Sequence, residues 1–178
     1  FLAGMWFLHL FCKHGKAVLT PEQQSFTITA MMIGVLLGGR LGYSLFYALE
    51  ETLHRPWVIF QIWKGGMASH GGFIGVLVAC WWVAKKLKLS FLQLGDLLCP
   101  LVPPGILLGR IANFINGELW GKVSNVSWAV IFPQSAMQGT PVELISARHP
   151  SQLYEAGLEG ALLLMYSQWR FWKTDALN

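Results

Sequence analysis

Two arginines stand inside apolar stretches of this chain, Arg40 in GGRLGYSLFY (Gly38–Tyr47) and Arg110 in GRIANFINGELWG (Gly109–Gly121). An arginine within an apolar span costs from about 2.5 kcal/mol upward, so each one marks a candidate for function. Tyr43 and Tyr47 follow Arg40, and Asn113 follows Arg110, at spacings that share one helix face. A guanidinium flanked by amide or phenol groups suits a phosphate, which it grips bidentately. The plainer use of either arginine is to tie helices together or to snorkel outward. For Arg110 that use would leave Asn113, Asn116 and Glu118 superfluous.

Two further constellations carry polar groups. GGMASHGG (Gly65–Gly72) enters an apolar segment, and its glycines admit a close backbone or ligand. His70 within it is a possible proton acceptor near neutral pH, although a histidine at a helix end is often structural. RHPSQLYE (Arg148–Glu155) leads into the last apolar segment, with Pro150 suited to a helix start and Ser151 to a cap. There His149, Gln152 and Glu155 each serve equally well as loop fasteners or site residues.

The elements that position these residues read as membrane spans. Hydrophobic residues make up 54% and charged residues only 12% of the chain, against about 25% charged in a soluble domain. Mean hydropathy is +0.47. Apolar segments fall at Phe1–Cys12, Phe26–Phe46, Met67–Val83, Leu94–Ile115 and Leu153–Trp169. All but the first approach the roughly 20 residues of a spanning helix. The chain opens inside an apolar run, read here as the cut end of a longer helix. The expected architecture is an all-α polytopic bundle, one transmembrane domain over 1–178, with about four complete spans and a partial N-terminal one. A long loop, 117–152, is mostly irregular with a short strand expected at Trp128–Phe132.

Basic residues set the orientation. Lys13 and Lys16, then Lys85, Lys86 and Lys88, then Arg170 and Lys173 follow alternate segments, which puts all of them on the cytoplasmic side. The 117–152 loop then lies outside. His70, Asn113, Asn116, Glu118 and His149 fall near outer ends, with Arg40 and Arg110 deeper, the latter by roughly 9 Å from the Asn116 end. Cys12, Cys80 and Cys99 fall toward inner ends, poor candidates for a nucleophile serving the outer cluster.

The net charge of +4 comes with no basic patch, so nucleic acid is not an expected partner. The three cysteines lack CxxC or metal spacing, and no metal or cofactor is expected. Gly34, Gly38 and Gly42 form a GxxxGxxxG series, with Gly71–Gly75 and Gly105–Gly109 as further pairs. That spacing favours close helix packing in membranes, and it is read as packing without chemistry.

GRIANFINGELWG resembles, at nearly every position, the characteristic segment of the bacterial phosphatidylglycerol–prolipoprotein diacylglyceryl transferases. GGRLGYSLFY, GGMASHGG and HPSQLYE resemble three further blocks of that family, in the same order. Ala112 stands where the family usually has Gly, and Ala68–Ser69 where it often has Ser–Phe. The resemblance covers the central portion of a seven-span architecture, without the family's N-terminal functional Tyr or its last two spans and their Arg. It implies transfer of a diacylglyceryl group from phosphatidylglycerol to the lipobox cysteine thiol of a prolipoprotein signal peptide, with glycerol 1-phosphate leaving. Under it, His70, Arg110 and Asn113 are the expected catalytic residues, His70 as base or thiol orienter. Arg40, Tyr43, Arg110, Asn116, Glu118, Gly121 and His149 are the expected substrate-binding residues, Gly121 because backbone passes close there. The implied location is the bacterial inner membrane, with the site toward the periplasm.

An anion or lipid transporter lined by the intramembrane arginines is the competing reading, although such proteins usually show repeats and broken helices near the midplane. A non-catalytic assembly factor would not need Arg, Asn and His at one level. A serine or zinc protease would need GxSxG or HExxH, and neither occurs.

Overall fold

Helix α1 (Leu2–Lys13) and helix α2 (Pro21–Phe46) are joined by a short link that ends in a capping box. The Thr20 side chain accepts from the Gln23 amide at 3.3 Å, and the Thr20 amide donates to the Gln23 side chain at 3.0 Å. Pro21 at the first helical position needs no acceptor there, so the start is sharply defined. The computed structural model describes residues 1–174, which fall into two compact units, Phe1–Leu98 and a second from Cys99 onward.

In the first unit α2 packs along α4 (Ser69–Leu87), and the seam between them is glycine. A methyl on Gly38 would collide with the Gly71 carbonyl oxygen, and one on Gly42 would stand 2.8 Å from the Gly71 Cα. A methyl on Gly34 would stand 2.6 Å from the Gly75 carbonyl oxygen. Small residues admit this backbone approach, as the spacing of Gly34, Gly38, Gly42, Gly71 and Gly75 predicted. The large side chains point the other way: Leu37, Leu45, Phe73, Ile74 and Leu77 are all exposed. A soluble protein rarely leaves so wide an apolar surface uncovered. Short helix α3 (Leu49–His54) and two 3-10 turns, Pro56–Phe60 and Ile62–Lys64, carry the chain from α2 to α4, and α5 (Phe91–Leu98) closes the unit.

In the second unit α6 (Pro103–Asn116) ends at Gly117, whose φ of +66° makes the left-handed cap. The Glu118 amide returns to the Asn113 carbonyl at 2.8 Å. After the loop, α7 (Ser151–Glu155), a π-helical segment (Ala156–Leu162) and α8 (Leu163–Lys173) run on without a break. They pack on α6, where a methyl on Gly160 would meet the Leu107 backbone at 2.7 Å. By contrast, Gly105 and Gly109 have open space where a Cβ would stand. Their expected packing role is therefore not seen among the described residues: the motif gives a face its shape but supplies no partner.

The expected strand at 128–132 reduces to a single bridge. Val130 exchanges both backbone bonds with Arg148 at 2.9 Å, and Val123 forms a second bridge to Arg148. Pairing stops there because Ala129 closes a turn onto Val126, and Pro133, lacking an N–H, opens a 3-10 turn. Phe132 is buried nonetheless, edge-on to Phe114 and stacked on Trp120.

The described residues are thus helical, with isolated bridges and no longer strand among them. Two helical stretches, Pro21–Phe46 and Phe91–Asn116, are long and apolar enough to cross a membrane.

Candidate functional site

Arg40 lies between the seam glycines Gly38 and Gly42, toward the C-terminal end of α2, and is only 4% exposed. Its Nε donates to the Ile59 carbonyl at 2.9 Å, and Nη1 donates to Gly65 at 2.6 Å and Gly66 at 3.0 Å. Nη2 donates to the Val58 carbonyl. A guanidinium has five N–H groups, so backbone oxygen takes nearly all of them. In this structure Arg40 performs the plainer of its two expected roles, holding the segment 58–66 against α2. Tyr43 lies beneath it, 5.6 Å from the guanidinium to the ring centroid, and stacks on Tyr47. The same ring closes on Gly66, whose φ of +82° is a glycine conformation.

His70 is the second residue of α4 and exposed. Its backbone is fixed by its neighbours. The Ala68 amide donates to the Gly39 carbonyl at 2.9 Å, and Gly71 lies buried in the seam. Of the glycines around His70, Gly71 sets the close approach of α4 to α2, and the imidazole is left at the surface.

In the second unit Arg110 is treated differently. Its side chain is 31% exposed, and its partners are carboxylates: Nε to Glu155 at 2.8 Å and Nη2 to Glu159 at 3.8 Å. Asn113 follows one turn on, half-buried, and Asn116 is exposed at the helix end. Glu118 and Leu119 present their carbonyls to α7, where Gln152 Nε2 donates to Glu118 and Ser151 Oγ donates to Leu119 at 3.0 Å. Ser151 is therefore not a cap; its hydroxyl is turned to the loop, and Pro150 occupies the cap position. Leu119 has a φ of +55°, costly for a branched side chain, and these two bonds help hold it.

Gly121 lies against His149. Its amide donates to the His149 carbonyl at 2.9 Å, and a methyl there would stand 2.9 Å from both the Cβ and the carbonyl oxygen of His149. Backbone does pass close at Gly121, and it is the backbone of another expected site residue. The His149 ring meets Tyr154 Oη at 3.0 Å, and Trp128 Nε1 donates to the same oxygen at 2.6 Å. An indole nitrogen only donates, so the tyrosine oxygen accepts from Trp128, with its proton and a second lone pair both available to His149.

Reading the chain residue by residue singled out neither Glu159 nor the Trp128–Tyr154 pair. A signal for Glu159 existed: it is the lone charge in the apolar run Ala156–Met165. For Trp128 there was none, since a tryptophan in a loop carries no mark of its partner. No cluster of three or more His, Cys, Asp or Glu side chains among the described residues could hold a metal ion.

The description of the prolipoprotein diacylglyceryl transferase family matches residues 1–177. The phosphatidylglycerol–prolipoprotein diacylglyceryl transferase of Legionella pneumophila (strain Paris) is 48% identical over 163 residues, 91% of this chain and 60% of that protein. The protein of the same name from Pseudomonas aeruginosa (strain LESB58) is 48% identical over 165 residues, 92% of this chain and 59% of its own length. That of Pseudomonas savastanoi pv. phaseolicola is 52% identical over 146 residues, 82% and 52% of the two chains. The chain spans 60% or less of the length of these relatives.

Proposed function

This chain belongs to the prolipoprotein diacylglyceryl transferase family, and we propose that it serves the reaction its relatives are named for. A lipobox cysteine thiolate of a prolipoprotein attacks the phosphate-bearing carbon of the diacylglyceryl group of phosphatidylglycerol. A C–S bond forms, the C–O bond to phosphate breaks, and glycerol 1-phosphate leaves with the electron pair. The thiol must first lose its proton, because the thiolate is the nucleophile. The departing phosphate needs fixed donors aimed at its growing charge.

Arg110 is the residue for that phosphate. The observation that carries this assignment is its half-open guanidinium, held by exchangeable carboxylates where Arg40 is held by backbone. Asn113 and Asn116 continue the same helix toward the headgroup, and Gly121, Glu118 and His149 form the adjoining loop wall. His70 takes the thiol proton or orients the thiol. Arg40 and Tyr43 act through the 58–66 segment that they hold. No cofactor beyond the lipid donor is part of the scheme.

The site faces the outer side of a bacterial inner membrane, with α2, α4, the 91–116 stretch and the 151–173 helix as complete spans, a partial span before them and the 117–152 loop outside. Supporting this orientation, Lys85 lies 4.2 Å from the Trp81 ring centroid, Lys86 5.2 Å from that of Trp82, and Lys173 4.7 Å from that of Trp169. Lysine beside tryptophan at the end of an apolar helix is the pattern of an interface, and basic residues favour the cytoplasmic one.

The test is mass spectrometry of a lipobox peptide incubated with the protein in phosphatidylglycerol vesicles. Arg110→Ala should lower thioether formation by about 100-fold or more, the usual loss of a charge-stabilising donor, while the variant inserts and purifies normally. Labelling at the parent rate would overturn the assignment.

A further inference from the structure

Glu159 is the only charged residue between Glu155 and Arg170. A carboxylate in such a stretch is costly and calls for a partner. Its partner is Arg110 Nη2 at 3.8 Å, whereas Glu155 sits on Nε of the same guanidinium at 2.8 Å. The two contacts differ in kind. Glu155 is at hydrogen-bonding distance of a charge-assisted pair, while Glu159 is an ion pair beyond hydrogen-bond reach. Glu159 is also the more exposed, at 56% against 36% for Glu155. Its backbone lies in the π-helical segment Ala156–Leu162, beside Gly157, which has nothing packed at its Cβ position. Segments of that kind recur at functional sites. With its side chain 56% exposed and 3.8 Å from Nη2, Glu159 can rotate away from the guanidinium.

Resting on the assignment of Arg110 to the headgroup phosphate, we propose that Glu159 is an exchangeable counter-ion for that arginine. In the empty site it shadows Nη2, and an incoming phosphate diester displaces it. Glu155 stays on Nε and aims the fork, leaving the two terminal nitrogens to grip the phosphate. The exchange also sets a threshold for anions. A ligand must outcompete a tethered carboxylate, which a bidentate phosphate achieves and a singly held anion does not. Glu159 is in this sense a specificity residue, and Glu155 a positioning residue.

The two carboxylates stand one helical turn apart, so general loosening of the helix would move both variants the same way. Displacement predicts opposite signs. With phosphatidylglycerol diluted in phosphatidylcholine vesicles, Glu159→Gln should lower the KM for phosphatidylglycerol by about threefold at low salt, a shift in the range of a partly exposed ion pair. The gain should vanish near 1 M salt, where the screening length falls to about 3 Å. Glu155→Gln should instead raise KM and lower kcat, and Glu159→Asp, which keeps the charge on a shorter stem, should fall between the parent and Glu159→Gln. Equilibrium dialysis with labelled glycerol 1-phosphate gives a second reading that needs no turnover. There, Arg110→Gln should weaken binding and Glu159→Gln should tighten it. Unchanged binding in Arg110→Gln would overturn the phosphate assignment itself. Weakened binding in Arg110→Gln, with unchanged or weaker binding in Glu159→Gln, would overturn the counter-ion role alone.

Discussion

Arg40 and Arg110 each bring a positive charge into an apolar helix, and the two units meet that charge in opposite ways. Around Arg40 the acceptors are the backbone carbonyls of Val58, Ile59, Gly65 and Gly66, groups that cannot leave without unfolding the segment that bears them. Around Arg110 they are the side chains of Glu155 and Glu159, partly exposed and able to rotate. A buried arginine satisfied by main chain is a fastener, and one satisfied by side chains at the rim of solvent is available for exchange. Residue type and an apolar helix do not separate these cases; burial and the chemistry of the acceptor do.

The contrast breaks most visibly through stability. Arg40→Ala takes the donor from the Ile59, Gly65 and Gly66 carbonyls, while Val58 keeps the Gln61 amide, and each such group left unsatisfied away from water costs about 1–3 kcal/mol. The melting temperature of the protein in detergent should fall by about 10 °C or more, at about 2–4 °C per kcal/mol for a chain of this size. Arg110→Ala removes only part-exposed ion pairs, for which about 0–1 kcal/mol is usual. Equal losses for the two variants would erase the distinction.

A smaller effect sharpens the second unit. Gly121→Ala drives a methyl onto the His149 backbone and should destabilise the loop by about 1–3 kcal/mol, as overpacking does. Limited proteolysis within 122–148 should accelerate, and a rate like that of the parent would mean that the two segments part freely. The smallest expected change is that of Tyr154→Phe, which removes the oxygen shared by Trp128 and His149. About 0.5–1.5 kcal/mol is at stake, and the indole N–H resonance of Trp128 should shift upfield in a nuclear magnetic resonance spectrum. An unmoved resonance would dissolve the link.

Much of this was legible in the residues because membrane helices advertise themselves. Apolar runs located α2 and α4 to within about five residues, the run Leu94–Ile115 took in most of α5, a 3-10 turn and α6 together, and the GxxxG spacing named the faces by which α2 and α4 meet. Asn113 and Arg110 share a helix, so local periodicity sufficed to pair them. What periodicity could not supply were partners distant in sequence. The acceptors of Arg40 lie 18 to 26 residues away, Val58 and Ile59 in a 3-10 turn that carries no pattern and Gly65 and Gly66 in the link before α4. Glu159 answers to an arginine on another helix. The expected strand at 128–132 was a local reading defeated locally, by a turn on one side and Pro133 on the other. Gly105 and Gly109 show the reverse failure, a correct motif with no surface against it.

The glycine seam of the first unit has a consequence for how this protein tolerates change. Glycine has no rotamers to freeze, so the α2–α4 contact forms without side-chain ordering, and nothing along it can shuffle aside for an intruder. Substitutions should then sort by address rather than by size. A bulky residue traded for another on the oily exterior changes only which hydrocarbon it greets, whereas a single methyl at Gly38 or Gly71 separates two backbones. Sequence drift in this unit has a broad, permissive outer coat and a narrow inner line at which it stops.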